Sequence, residues 1–89
     1  MPKRLTAEQR YALKTVPLGD MPNKLRIALT LARAKQFEVA EETGIAAPNL
    51  SNLVNGKYST VTITTARKLA EYFGCHIEDL FPAREAVAS

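Results

Sequence analysis

Residues 36–56, QFEVAEETGIAAPNLSNLVNG, decide the fold. Phe37, Val39, Ala40 and Thr43 form a short helical face, with Glu38, Glu41 and Glu42 turned away from it. Gly44 ends that helix, because glycine enters left-handed backbone without steric cost. Ile45 packs in the turn, and a second helical pattern follows with Leu50, Leu53 and Val54 as its apolar stripe. Asn55 and Gly56 punctuate its end. Two short helices joined through a glycine turn are the pattern of a helix-turn-helix.

The spacing is also specific in finer detail. Ala40, Gly44, Ile45, Leu50 and Leu53 occupy small, turn and core positions, Gln36 opens the first helix, and residues 44–57 read GIAAPNLSNLVNGK. From about Asn23 to Phe81 the chain resembles the Cro/C1-type repressor helix-turn-helix family. Residues 66–81, ARKLAEYFGCHIEDLF, resemble that family's closing helices. One departure lies at Arg33, near which the family usually has glycine. The resemblance implies an all-α, five-helix lambda-repressor-like DNA-binding domain, here with an extra N-terminal helix.

Working outward, 89 residues suffice for one small helical core and not for two. Few aromatics and many Ala, Leu, Glu, Lys and Arg favour helices. No apolar run approaches the ~18 residues of a membrane span, so an intracellular protein is the default. Cys75 is the single cysteine, which excludes an internal disulfide and suits a small buried hydrophobe. The net charge of +3 is unevenly placed: residues 1–35 carry +6 and residues 36–89 carry −3. That asymmetry fits a polyanion approached partly by the N-terminal half.

Three segments are expected: a basic extension over 1–22, the domain over 23–82 and a short tail over 83–89. Thr6 and Gln9 have capping-box spacing and open a helix through about Lys14, which Leu5 can staple. Two prolines and a glycine then break the chain over 16–22, as a linker or an ordered elbow. Asn23 is the expected cap of the next helix, with Leu25, Ala28, Leu29 and Ala32 as its stripe and Ile27 and Leu31 flanking. Thr62 or Thr64 caps a helix whose inner face is Ile63, Ala66, Leu69, Ala70 and Phe73, ended by Gly74. His76 caps a last short helix with Ile77, Leu80 and Phe81 inward, and the alanine-rich tail is expected either frayed or as an added turn at an interface.

Catalysis is a poor reading. Cys75 and His76 are the available nucleophile–base pair, but adjacent residues diverge at a helix start and nothing orients a base. One His and one Cys do not complete a zinc set, so neither metal nor cofactor is expected. The outward face of the second motif helix is more informative. Ala46, Ala47, Pro48, Asn49, Ser51, Asn52 and Asn55 are small or amide-bearing and uncharged, where a merely solvated helix would carry Lys and Glu. Asn can bond N6 and N7 of adenine in the major groove, and small residues allow close approach. Ala47, Pro48, Asn49, Ser51 and Asn52 are therefore the candidate base readers. Asn49 and Asn55 can also be read as caps or turn formers, the reading that suits Asn55 better, since it precedes Gly56. Pro48 sets the helix start at Ala47 or itself, while Ala46 replaces the family's serine cap at a cost of about 1 kcal/mol.

The resemblance implies phosphate contacts from Gln36 and Lys57, which would fix the register of the helix between them. Asn55 and Tyr58 join that candidate set, and Lys3 and Arg4 are candidate N-terminal DNA contacts. The expected protein is a cytoplasmic, bacterial or phage-encoded, nucleoid-associated regulator, most simply a repressor. It would bind a pseudo-palindromic double-stranded operator as a homodimer joined through Ile77–Phe81 and the tail. The rival reading is an antitoxin-like or other protein-interaction subunit built on the same fold, gripping a protein partner with its extension.

Overall fold

The computed structural model describes residues 3–57 and 61–82, together with the backbone of 87–88. Among these the chain forms six helices: α1 (Ala7–Thr15), α2 (Leu25–Ala32), α3 (Gln36–Thr43), α4 (Ala47–Val54), α5 (Ile63–Phe73) and α6 (Ile77–Leu80). Two-residue strands β1 (Val61–Thr62) and β2 (Val87–Ala88) pair in parallel, Val61 with Val87 and Thr62 with Ala88. The backbone of residues 87–88 thus lies beside the start of α5 as a strand, while the rest of the expected tail, 83–86 and 89, lies outside the described residues.

The N-terminal segment belongs to the core it precedes. Thr6 Oγ1 accepts from Gln9 N at 3.1 Å while Thr6 N donates to Gln9 Oε1 at 2.8 Å, the expected capping box. Gln9 Nε2 goes on to donate to Leu31 O at the end of α2. Leu5 and Leu13 are buried in the same cluster as Leu25, Ala28, Val39, Leu50, Leu69, Phe73 and Leu80, and Leu5 N donates to Phe73 O. Lys24 is only 6% exposed, which a lysine tolerates when its ammonium is satisfied. Its Nζ donates to Leu13 O at 2.8 Å and Lys14 O at 3.3 Å, closing the negative end of α1.

Four turns close their helices with left-handed residues, and one is not glycine. Arg33 has φ 55° and ψ 40°, a left-handed conformation that favours glycine. Arg33 N donates to Thr30 O and Ala34 N to Leu29 O, the paired bonds of a Schellman ending. The turn keeps its shape, and the side chain costs about 1–2 kcal/mol. Gly56 and Gly74 end α4 and α5 by the same two-bond pattern, and Gly44 ends α3 with a single bond to Ala40 O.

Three expectations need correction. Phe37 is 63% exposed: at about 100° per residue it lies about 60° from Ala40 and roughly 110° from the middle of the stripe of Val39, Ala40 and Thr43. Lys35 Nζ stands 5.8 Å from its ring instead. The residue before α2 is Lys24, not Asn23, although Asn23 Oδ1 still accepts from Leu25 N at 3.0 Å. Leu80 and Phe81 are 0% and 4% exposed within their own chain, so α6 does not offer them to a second copy. Two other helix starts match the sequence: Thr62 Oγ1 accepts from Thr65 N, and α4 opens at Ala47 with Pro48 in its first turn. His76 holds the N-cap place of α6, but its side chain makes no cap bond, and its N–H donates to Asp79 Oδ2 instead.

Candidate nucleic-acid interface

α3 and α4 pack on each other through Val39, Ala40, Leu50, Leu53 and Val54, with Ile45 half-buried between them. Packing fixes what α4 turns outward: Ala46, Ala47, Pro48 and Asn49 are exposed and Ser51 and Asn52 half-buried. The first turn of α4 carries no side-chain cap, since Ala46 has nothing to offer the amides behind it. What faces solvent there is small and uncharged.

The flanks follow from the two turns. Gln36 is the first residue of α3, half-buried, so its position is set by the turn that Arg33 closes. Lys57 is exposed just past Gly56, and its N–H donates to Asn52 O at 2.8 Å. Tyr58 lies outside the described residues.

The last turn of α4 is held from outside by the approach to α2. Gly56, at φ 74°, lies so close to Pro22 that an added Cβ would stand 2.6 Å from the proline Cβ. The segment before α2 is therefore an ordered elbow seated on this turn. Asn23 Nδ2 donates to Leu53 O at 2.8 Å, satisfying a terminal carbonyl of α4. Arg26 Nη2 donates to Asn55 Oδ1 at 3.0 Å, and Asn55 Nδ2 donates to Ser51 Oγ at 3.3 Å. Sequence reasoning missed this grip, because its partners lie some thirty residues apart and leave no periodic signal.

The basic N-terminus is arranged differently. Lys3 Nζ sits 3.2 Å from Glu38 Oε1 and also donates to Arg33 O. The bond from Lys35 N, then Lys3, holds the Glu38 carboxyl below the usual carboxylate range. Arg10 donates to Leu5 O, and Lys14 lies 3.8 Å from the buried Asp79 carboxylate, which also accepts from His76 N. Arg4 lies against Gly74 and lines a shallow groove with Glu42, Thr43, Lys68, Glu71 and Tyr72, at the opposite end of α3 from Gln36. Cys75 is half-buried, and burial, then Asp79, pushes its thiol up to about 12, far from an activated nucleophile.

Two packed helices joined by a glycine turn, the second presenting its outer face between Gln36 and Lys57, define a helix-turn-helix DNA-binding domain. A family model for the Cro/C1-type HTH DNA-binding domain matches residues 24–83, and the chain belongs to that family. It is 33% identical over 61 residues to an uncharacterised HTH-type transcriptional regulator of Methanocaldococcus jannaschii, covering 68% of this chain and 91% of the relative. No solved structure matches it. Among the described residues no helix is long and apolar enough to cross a membrane.

Proposed function

We propose that this protein is a sequence-specific, double-stranded-DNA-binding transcriptional regulator of repressor type, acting as a homodimer with α4 in the major groove. The observation that carries the reading is the outer face of α4: exposed Ala47, Pro48 and Asn49, then half-buried Ser51 and Asn52, with no charge among them. A helix with such a face can approach base edges closely and still offer amides to them. Gln36 and Lys57 flank it and serve as backbone contacts that set register. Lys3 is already occupied by Glu38, and Arg4 stands away from Gln36, so the extension acts chiefly as a buttress. One α4 spans few base pairs, which motivates two copies with recognition helices about 34 Å apart on a pseudo-palindrome.

The test is selection of bound duplexes from a random library, repeated with variants and paired with light scattering. Asn52→Ala is expected to lose ~1–3 kcal/mol of discrimination at one position per half-site, with non-specific binding nearly unchanged. Gln36→Ala and Lys57→Ala should weaken all duplexes together. Retention of the parent's preferences by both Asn52→Ala and Asn49→Ala would contradict base reading by this face. A monomer both free and on DNA would contradict the dimer.

A further inference from the structure

We infer that Arg26, on α2 and outside the helix-turn-helix, supplies the phosphate contact at the C-terminal end of α4, and that Asn55 aims its guanidinium. The inference rests on the DNA-binding reading and deepens it. Arg26 is exposed, and among the described residues it bonds to one acceptor, Asn55 Oδ1, through Nη2. A guanidinium carries five N–H donors in a rigid fork, so four remain. No carboxylate pairs with it among the described residues, unlike Lys3 or Lys14.

The surroundings favour an anion there. Arg26 meets the last turn of α4 two residues before the exposed Lys57, so two cations bracket the Asn55–Gly56 turn. Asn55, by contrast, already has both ends of its amide engaged, the oxygen by Arg26 and the nitrogen by Ser51 Oγ. It is thus better placed to orient a cation than to hold a phosphate oxygen itself. A bidentate guanidinium–phosphate pair is stronger and more directional than a neutral amide contact. Because Ser51 lies on the outer face of α4, the same chain of bonds ties the backbone contact to the register of the reading face.

The experiment measures binding of a duplex recovered by selection over a range of salt concentrations, with melting temperatures alongside. Arg26→Ala should lower the slope of log K against log salt by about 0.9, one phosphate's worth, without moving the melting midpoint. Arg26→Lys keeps the charge and should restore the slope while leaving affinity below the parent's. Arg26→Ala with Asn55→Ala should bind no more weakly than Arg26→Ala alone, since Asn55 acts through the arginine. An unchanged slope in Arg26→Ala would overturn the inference, as would a double variant weaker by a further independent factor. Lys57→Ala, run in parallel, separates the two levels: if it loses slope and Arg26→Ala does not, only the Arg26 assignment fails. If the parent itself shows no salt-dependent duplex binding, the DNA reading and this inference fall together.

Discussion

The two ends of α4 are built in opposite ways. At its first turn, Ala46 offers no cap, Pro48 removes one donor, and Ala47 and Asn49 are open to solvent. At its last turn, Pro22 packs on Gly56, Asn23 bonds Leu53 O and Arg26 bonds Asn55, all from the five residues entering α2. One end lacks a cap from its N-cap residue and the other is gripped from outside. The difference teaches how a short helix can be both exposed and accurately placed. If α4 meets DNA as proposed, capping side chains at the first turn would compete with the ligand for space, and positional control would come from the other end.

That contrast predicts where substitutions hurt. Gly56→Ala should be the most damaging: the left-handed backbone costs about 1–2 kcal/mol. Overpacking against Pro22 adds about 1–3 kcal/mol more. A fall of roughly 4–8 °C in melting temperature per kcal/mol is expected for a domain of this size. A midpoint close to the parent's would mean that the elbow does not seat on this turn. Next comes Asn23→Ala, which leaves the buried Leu25 N–H without its partner and removes one of the two donors to Leu53 O, and should cost about 1–3 kcal/mol in denaturant unfolding. Its effect should also reach DNA binding, because the end of α4 is released. Smallest is Ala46→Ser at the bare end, which supplies the missing cap and should add about 1 kcal/mol. A loss of stability there would show that the first turn is not short of a cap.

The legible part of this protein was the part encoded at short range. Val39, Ala40, Leu50, Leu53 and Val54 declare their faces by helical period, and Gly44 and Gly74 mark endings that only backbone permissiveness explains. The Thr6–Gln9 box and the Thr62 cap were readable for the same reason, since partner and donor lie three residues apart. Phe37 misled because an aromatic near an apolar stripe looks like core until its angle is counted. Arg33 shows a turn surviving without its glycine, which local propensity argues against and the Schellman bonds outweigh. The burial of Lys24 was not readable, because its acceptors are the backbone carbonyls of Leu13 and Lys14. Nor was the grip of Arg26 on Asn55, whose partner is identified only by the fold. Of the candidate interface, sequence supplied the outward face of α4 that is proposed to read DNA; the contacts from Pro22, Asn23 and Arg26 that hold the last turn of α4 required coordinates.

The most direct test of the account is amide chemical-shift mapping of the folded protein on addition of a duplex recovered by selection. Perturbations should be largest from Ala46 to Asn52, with Gln36 and Lys57 beside them, while α1 stays unmoved. Largest shifts on α1 or α6, with α4 silent, would contradict the assignment of α4 as the surface that meets DNA.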